Sequence, residues 1–170
     1  MRRRTFLKAG VAGTVLLAGA ARIPAAAARA ADSMAARGLS SADRVVVAAI
    51  APVMLAGALP AGEAKAKAVA SVVDGVSQAV AGMPPATRRE LGELFMLLDL
   101  APTRRLVAGV SRPWPEASVG EIAAFLQAWR MSRLALLQSG YHALHDLIVA
   151  AWYAQPESWP PLAYPGPPEV

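Results

Sequence analysis

Residues 39–57 read LSSADRVVVAAIAPVMLAG. Leu39 stands before Ser40, and Asp43 follows the serine by three positions, the arrangement in which a hydroxyl and a carboxylate satisfy backbone N–H groups reciprocally at a helix start. Val46, Ile50, Val53, Met54 and Gly57 then recur every three or four residues, which places them along one helical face. Pro52 is expected to kink this helix, because it has no N–H to donate and its ring crowds the carbonyl one turn back.

The same periodicity continues toward the C-terminus. A second helix is predicted over residues 63–81, with Val69, Val72, Val73, Val76 and Val80 on one side and Gly75 and Gly82 as points of close packing or fraying. Pro84-Pro85 suits a helix start, and Leu91, Leu94, Phe95 and Leu98 form the next stripe, ended by Ala101-Pro102. A short helical piece over 102–110 leads into the loop SRPWPEAS, after which Ser118 caps a helix with Ile122, Phe125, Leu126 and Trp129 inward. Ser139-Gly140 marks a kink or break before a last helix over 141–154. No segment shows the alternation of a strand. The predicted fold is all-α, a single bundle of five or six helices with an extended Pro/aromatic C-terminal tail.

Toward the N-terminus, RRRTFLK (residues 2–8) is followed by the apolar run AGVAGTVLLAGAA and then by IPAAAARA. A charged start, an apolar run of about a dozen residues and an A-x-A site are the parts of an export signal. A membrane span needs about 20 apolar residues, more than this run supplies. Arg3, Arg4, Phe6, Leu7 and Lys8 match the twin-arginine (Tat) signal, which the chain resembles here, and Ala28-Arg29-Ala30 is the candidate cleavage triplet. The expected division is therefore a cleaved signal over 1–30, a helical bundle over 31–154 and a tail over 155–170.

Removing the signal changes the electrostatics. Of 17 Lys and Arg residues, six lie in the first 30 positions, leaving 11 beside 12 acidic residues, so the remaining chain carries about one negative charge. The basicity of the whole sequence belongs to the signal, and no nucleic-acid partner is implied. With no cysteine in the chain, disulfides, thiolate metal sites, covalent c-type haem and a cysteine nucleophile are excluded.

Candidate chemistry is confined to Tyr141-His142-Ala143-Leu144-His145-Asp146. Two histidines three apart can approach one metal, and His142 can reach Asp146 across one helical turn. His142, His145 and Asp146 stay open as a structural or interfacial group, as metal or haem ligands, or as an acid/base set. A glycine-rich phosphate loop, a G-x-S-x-G elbow and an H-E-x-x-H pair are all missing from the sequence.

The aromatic residues are concentrated at the end. Trp114 lies between two prolines, and Trp152, Tyr153, Trp159 and Tyr164 share the closing WYAQPESWPPLAYPGPP with six prolines. These rings either fold back as a lid on the bundle or project as anchors for another protein, for which Trp and Tyr are favoured.

LSSADRVVVAAIAPVMLAGALP at one end and HALHDLIVAAWYAQPESWPPLAYPGPP at the other, with the twin-arginine signal ahead of them, resemble the small subunit (subunit 3) of the gluconate 2-dehydrogenase type of membrane-associated flavin dehydrogenases. The resemblance implies a non-catalytic subunit with no cofactor of its own. Its partner would be a large flavoprotein of the glucose-methanol-choline kind that holds FAD, with a cytochrome subunit where one is present. It also implies a role as export escort: the chain would carry its folded partner through the Tat translocon to the periplasm, with Trp152, Tyr153, Trp159, Tyr164, Pro165 and Gly166 as docking residues. The alternative is a stand-alone periplasmic helical protein that binds a small ligand or metal at His142, His145 and Asp146; a small hydrolase or isomerase using the same residues is a third reading.

Overall fold

Ser40 accepts a hydrogen bond from the Asp43 N–H at 3.2 Å while Asp43 accepts one from the Ser40 N–H at 2.8 Å, and this capping box opens helix α1, Ser41–Met54. A computed structural model describes Arg29, residues 32–34 and residues 36–166. The export motif Arg3, Arg4, Phe6, Leu7 and Lys8, the cleavage alanines Ala28 and Ala30, and residues 167–170 lie outside the described residues. Pro52 stands in the last turn of α1, which stops at Met54, so the proline accompanies an ending rather than a bend in mid-helix.

Helix α2, Ala64–Gly82, buries Val72, Val73, Val76 and Val80. Val69 is only half-buried, at the edge of that stripe. Pro85 takes the first position of α3, Pro85–Asp99, where its missing N–H costs nothing. The next segment begins as a helical turn, Ala101–Thr103, and widens into a π turn, Arg104–Ala108, closed by Gly109 at φ 70°. Arg104 is buried there and donates to the Asp99 carbonyl at 3.3 Å. Its charge thus sits against the carbonyl end of α3, the negative end of that helix's dipole. After a 3₁₀ turn at Trp114–Glu116 come α4, Val119–Arg130, and α5, Ala135–Tyr153.

The bundle is built around α1, which packs against each of the other four long helices, while α2 lies along α5. Gly75 marks the place where α2 meets α5: a Cβ on it would stand 3.1 Å from the Ala151 Cβ. Gly82 has open space beside it. At the centre, Phe125 meets Trp129 edge to face at 4.8 Å and Trp114 at 5.8 Å, separations typical of favourable aromatic pairs. Both indoles are tied down, Trp114 Nε1 donating to the Leu98 carbonyl and Trp129 Nε1 to the Val107 carbonyl, each at 2.9 Å. Trp114 is therefore a core residue, in spite of its two flanking prolines.

Two expectations are corrected. Helix α5 runs without interruption through Ser139-Gly140. Gly140 is instead a contact point, since a Cβ there would come within 2.7 Å of the Trp129 ring. The tail is not extended throughout: Pro156–Ser158 and Pro160–Leu162 form 3₁₀ turns and Ala163 takes φ 51°. Proline at the first position of such a turn fits its fixed φ.

Helix α4 carries a pH-sensitive cap. The Ser118 N–H and hydroxyl both donate to Glu121, at 3.0 and 2.9 Å, while the Glu121 N–H donates to the Ser118 hydroxyl. These bonds, backbone first and side chain second, hold the Glu121 carboxyl below the usual glutamate range, with a smaller contribution from Arg112. A carboxylate with a lowered folded-state pKa stabilises the fold above its ordinary range, and that contribution fades as pH falls through the lowered value. Glu121→Gln is expected to remove part of this acid dependence. Thermal melts of both proteins across the acidic range should converge at low pH; parallel curves would show that the cap carries no such linkage.

Candidate functional site

Helix α5 positions the histidine cluster. Its residues Leu144, Leu147, Ile148, Ala151 and Trp152 face the core, which leaves His142 exposed and Tyr141 and His145 half-buried on the flank. His145 Nδ1 lies 3.0 Å from Asp146 Oδ1. His142 contacts the Tyr141 ring edge to face at 5.5 Å, and the ring of His145 lies 5.8 Å from that of Tyr141. The aspartate thus partners the adjacent histidine rather than the one a turn away.

Tyr141 and His145 line a shallow pocket of about 250 Å³ together with Val53 and Met54 of α1 and Leu126 and Arg130 of α4. Among the described residues no three His, Asp or Glu side chains gather as a metal set. A guanidinium in the same pocket also opposes a bound cation by like-charge repulsion. What the arrangement offers is one imidazole beside one carboxylate, both open to solvent: the side chains of His145 and Asp146 are 42% and 77% exposed.

The tail residues divide. Trp152 is 2% exposed and belongs to the core, so it is withdrawn from the proposed docking residues. Tyr153 and Tyr164 are exposed and Trp159 is half-buried. Trp159 Nε1 donates to the Tyr153 carbonyl at 3.0 Å, its ring meets Tyr164 edge to face at 5.5 Å, and Gly166, at φ 99°, passes so close that a Cβ would lie 2.9 Å from that ring. Pro165 is exposed beside them. The tail is a small self-stapled unit at the end of α5.

A second surface escaped the sequence reading. Between α3 and the first half of α5 runs a groove of about 420 Å³ whose walls are mainly apolar: Leu94 and Leu97 on one side, Leu137 and Ala143 on the other, with Trp129 and Gly140 between. Leu136 at its lip is 75% exposed, and Met131 and Leu134 nearby are 67% and 64% exposed. Glu90 and Glu93 add an acidic margin. The clue was RMSRLALLQSG, where Leu134 and Leu136 lie outside the buried Leu144–Ile148 face of α5. Large exposed apolar side chains that cluster mark an interaction site.

Among the described residues, no helix is long and apolar enough to cross a membrane. Comparison with protein families, with curated proteins and with solved structures finds no match to this chain.

Proposed function

We propose that this protein is a non-catalytic small subunit and export escort, whose partner is a large FAD-dependent dehydrogenase of the glucose-methanol-choline kind, with a cytochrome subunit where one is present. The observation that carries the reading is the α3–α5 groove with the exposed Leu136 at its lip. A protein that works by holding another presents such a surface, whereas one working by its own chemistry needs converging polar groups, and His145 with Asp146 supply only a pair. The self-stapled tail adds Tyr153, Trp159, Tyr164 and Pro165 as a second contact. The Arg3, Arg4, Phe6, Leu7 and Lys8 motif supports the Tat pathway and the periplasm as destination, and Ala28 and Ala30 support cleavage there. FAD and substrate belong to the partner.

One experiment tests docking and export together. A tagged chain recovered from periplasm should bring down a protein that shows flavin absorbance. Leu136→Glu, at an exposed position, should leave the helical signal unchanged but weaken that association by about tenfold or more, the equivalent of about 1.4 kcal/mol. Changing Arg3 and Arg4 to Lys should leave precursor and flavoprotein together in the cytoplasm. A colourless eluate, or mature protein still reaching the periplasm after the double arginine change, would count against the escort reading. A tightly held metal or ligand in the purified protein, lost on changing both His142 and His145 to Ala, would favour the stand-alone alternative.

A further inference from the structure

The α3–α5 groove lies beside a ridge that matches it. We propose that two copies of this chain pair about a two-fold axis, each setting the ridge of residues 131–136 into the groove of the other, so that free subunits cover one another's docking surface. That this pairing excludes the flavoprotein rests on reading the groove as its docking site; the pairing itself does not.

Three observations point to a second copy. The first is exposure in one place. Met131, Leu134 and Leu136 are 67%, 64% and 75% exposed and fall within six residues of chain, the clustering that marks an interaction surface. The ridge is also firm: the Met131 N–H donates to the Gln127 carbonyl at 3.0 Å, and the Leu134 N–H to the Ser132 hydroxyl at 3.1 Å. Little backbone freedom is left to lose on docking.

The second is charge. Glu90 and Glu93 are exposed on the groove wall, three residues apart on α3, a spacing that makes them neighbours on the helix surface and sets their like charges against each other. Neither forms an ion pair among the described residues. Arg133 stands in the middle of the ridge, exposed and likewise unpaired among the described residues. Seated in the facing groove, its guanidinium would reach those carboxylates, while Arg89 of that helix is already engaged by Asp32. The third is geometry. Leu136 belongs to both features, lining the groove and closing the ridge, so the two share one side of the molecule. A two-fold axis passing between them makes both contacts at once, as a closed isologous interface requires. Ion pairs at such a rim fix the register more than the affinity. A contact of one groove and one ridge per chain falls at the weak, exchanging end of interfaces, which leaves it open to displacement by a larger partner.

Sedimentation velocity on the full chain should show the average mass rising from one chain toward two as protein increases from about 1 to about 200 µM, the range in which weak interfaces form. Arg133→Glu alone, or Glu90→Lys with Glu93→Lys, should weaken dimerisation at least about tenfold with the helical signal unchanged, and the three changes together should restore it to within about threefold of the parent. Only a surface that pairs with itself is rescued in this way, because a foreign occupant of the groove gains nothing from Arg133→Glu. A parent that stays one chain throughout, or a combined variant no better than the separate ones, would overturn the inference. Added flavoprotein should take up single chains; a complex that holds the intact dimer would overturn the exclusion. The two readings fail separately: flavoprotein binding insensitive to Leu136→Glu removes the docking site while the chain still dimerises, and a monomeric chain whose flavoprotein binding is sensitive to that change loses only the self-pairing.

Discussion

Trp129→Ala is expected to destabilise the bundle by about 3–5 kcal/mol, the range for truncating a buried aromatic residue. The indole is 2% exposed, packs edge to face on Phe125, and satisfies the Val107 carbonyl through Nε1. Its loss would leave a cavity between α4 and the π turn and an unpaired carbonyl beside it. Because whole domains are stable by only about 5–15 kcal/mol, the variant should lie close to unfolding at room temperature. Urea titration followed by circular dichroism should show a much lower midpoint. Trp129→Phe, which keeps most of the volume and drops the hydrogen bond, should fall between. A midpoint unchanged in the alanine variant would mean that the indole does not hold these elements together.

The second large effect is expected at the position facing that ring. Gly140→Ala places a Cβ 2.7 Å from Trp129 Cζ3 and 3.2 Å from Leu94 Cδ1. Alanine in mid-helix is ordinarily favoured over glycine by about 1 kcal/mol. Here the clash should win, because the rigid indole is pinned at Nε1 and cannot swing aside, and overpacking costs about 1–3 kcal/mol. Gly140→Val should be worse still. Gly82→Ala, with nothing within 4 Å, is the control and should be neutral or mildly stabilising. If alanine stabilised both positions alike, close packing would not explain Gly140.

The contrast between these glycines separates what was legible in the sequence from what was not. Ser40, Pro85 and Ser118 marked their helices because capping is settled within four residues of chain. The valines of α2 and the Ile122, Phe125, Leu126, Trp129 stripe declared their faces through spacing alone. Gly140 was misread as a break because its role is set by Trp129, a residue on another helix that local propensity does not register. The tail prolines suggested extension, yet the ring of Trp159 over Gly166 and the 3₁₀ turns come from contacts that composition does not encode. Trp152 was grouped with Tyr153 by adjacency, although successive residues of a helix point about 100° apart. The groove had the weakest signal, since an exposed leucine and a buried one look identical in the chain. At the histidines, residue types were legible but the pairing of His145 with its neighbour, rather than His142 across a turn, depends on rotamers.

The central place of α1 has a temporal side. The first of the described long helices to leave the ribosome has its packing partners spread along the chain as far as α5, whose Trp152 is part of the core. Contacts so distant in sequence form only after the intervening chain has been synthesised and its loop entropy overcome. Helices α2 and α3 can cover part of α1 as they emerge, but its contacts with α4 and α5 wait for almost the entire polypeptide, so the bundle should complete its core late. The nascent chain should spend that interval with part of an apolar helix unshielded, the kind of surface that holding chaperones cover.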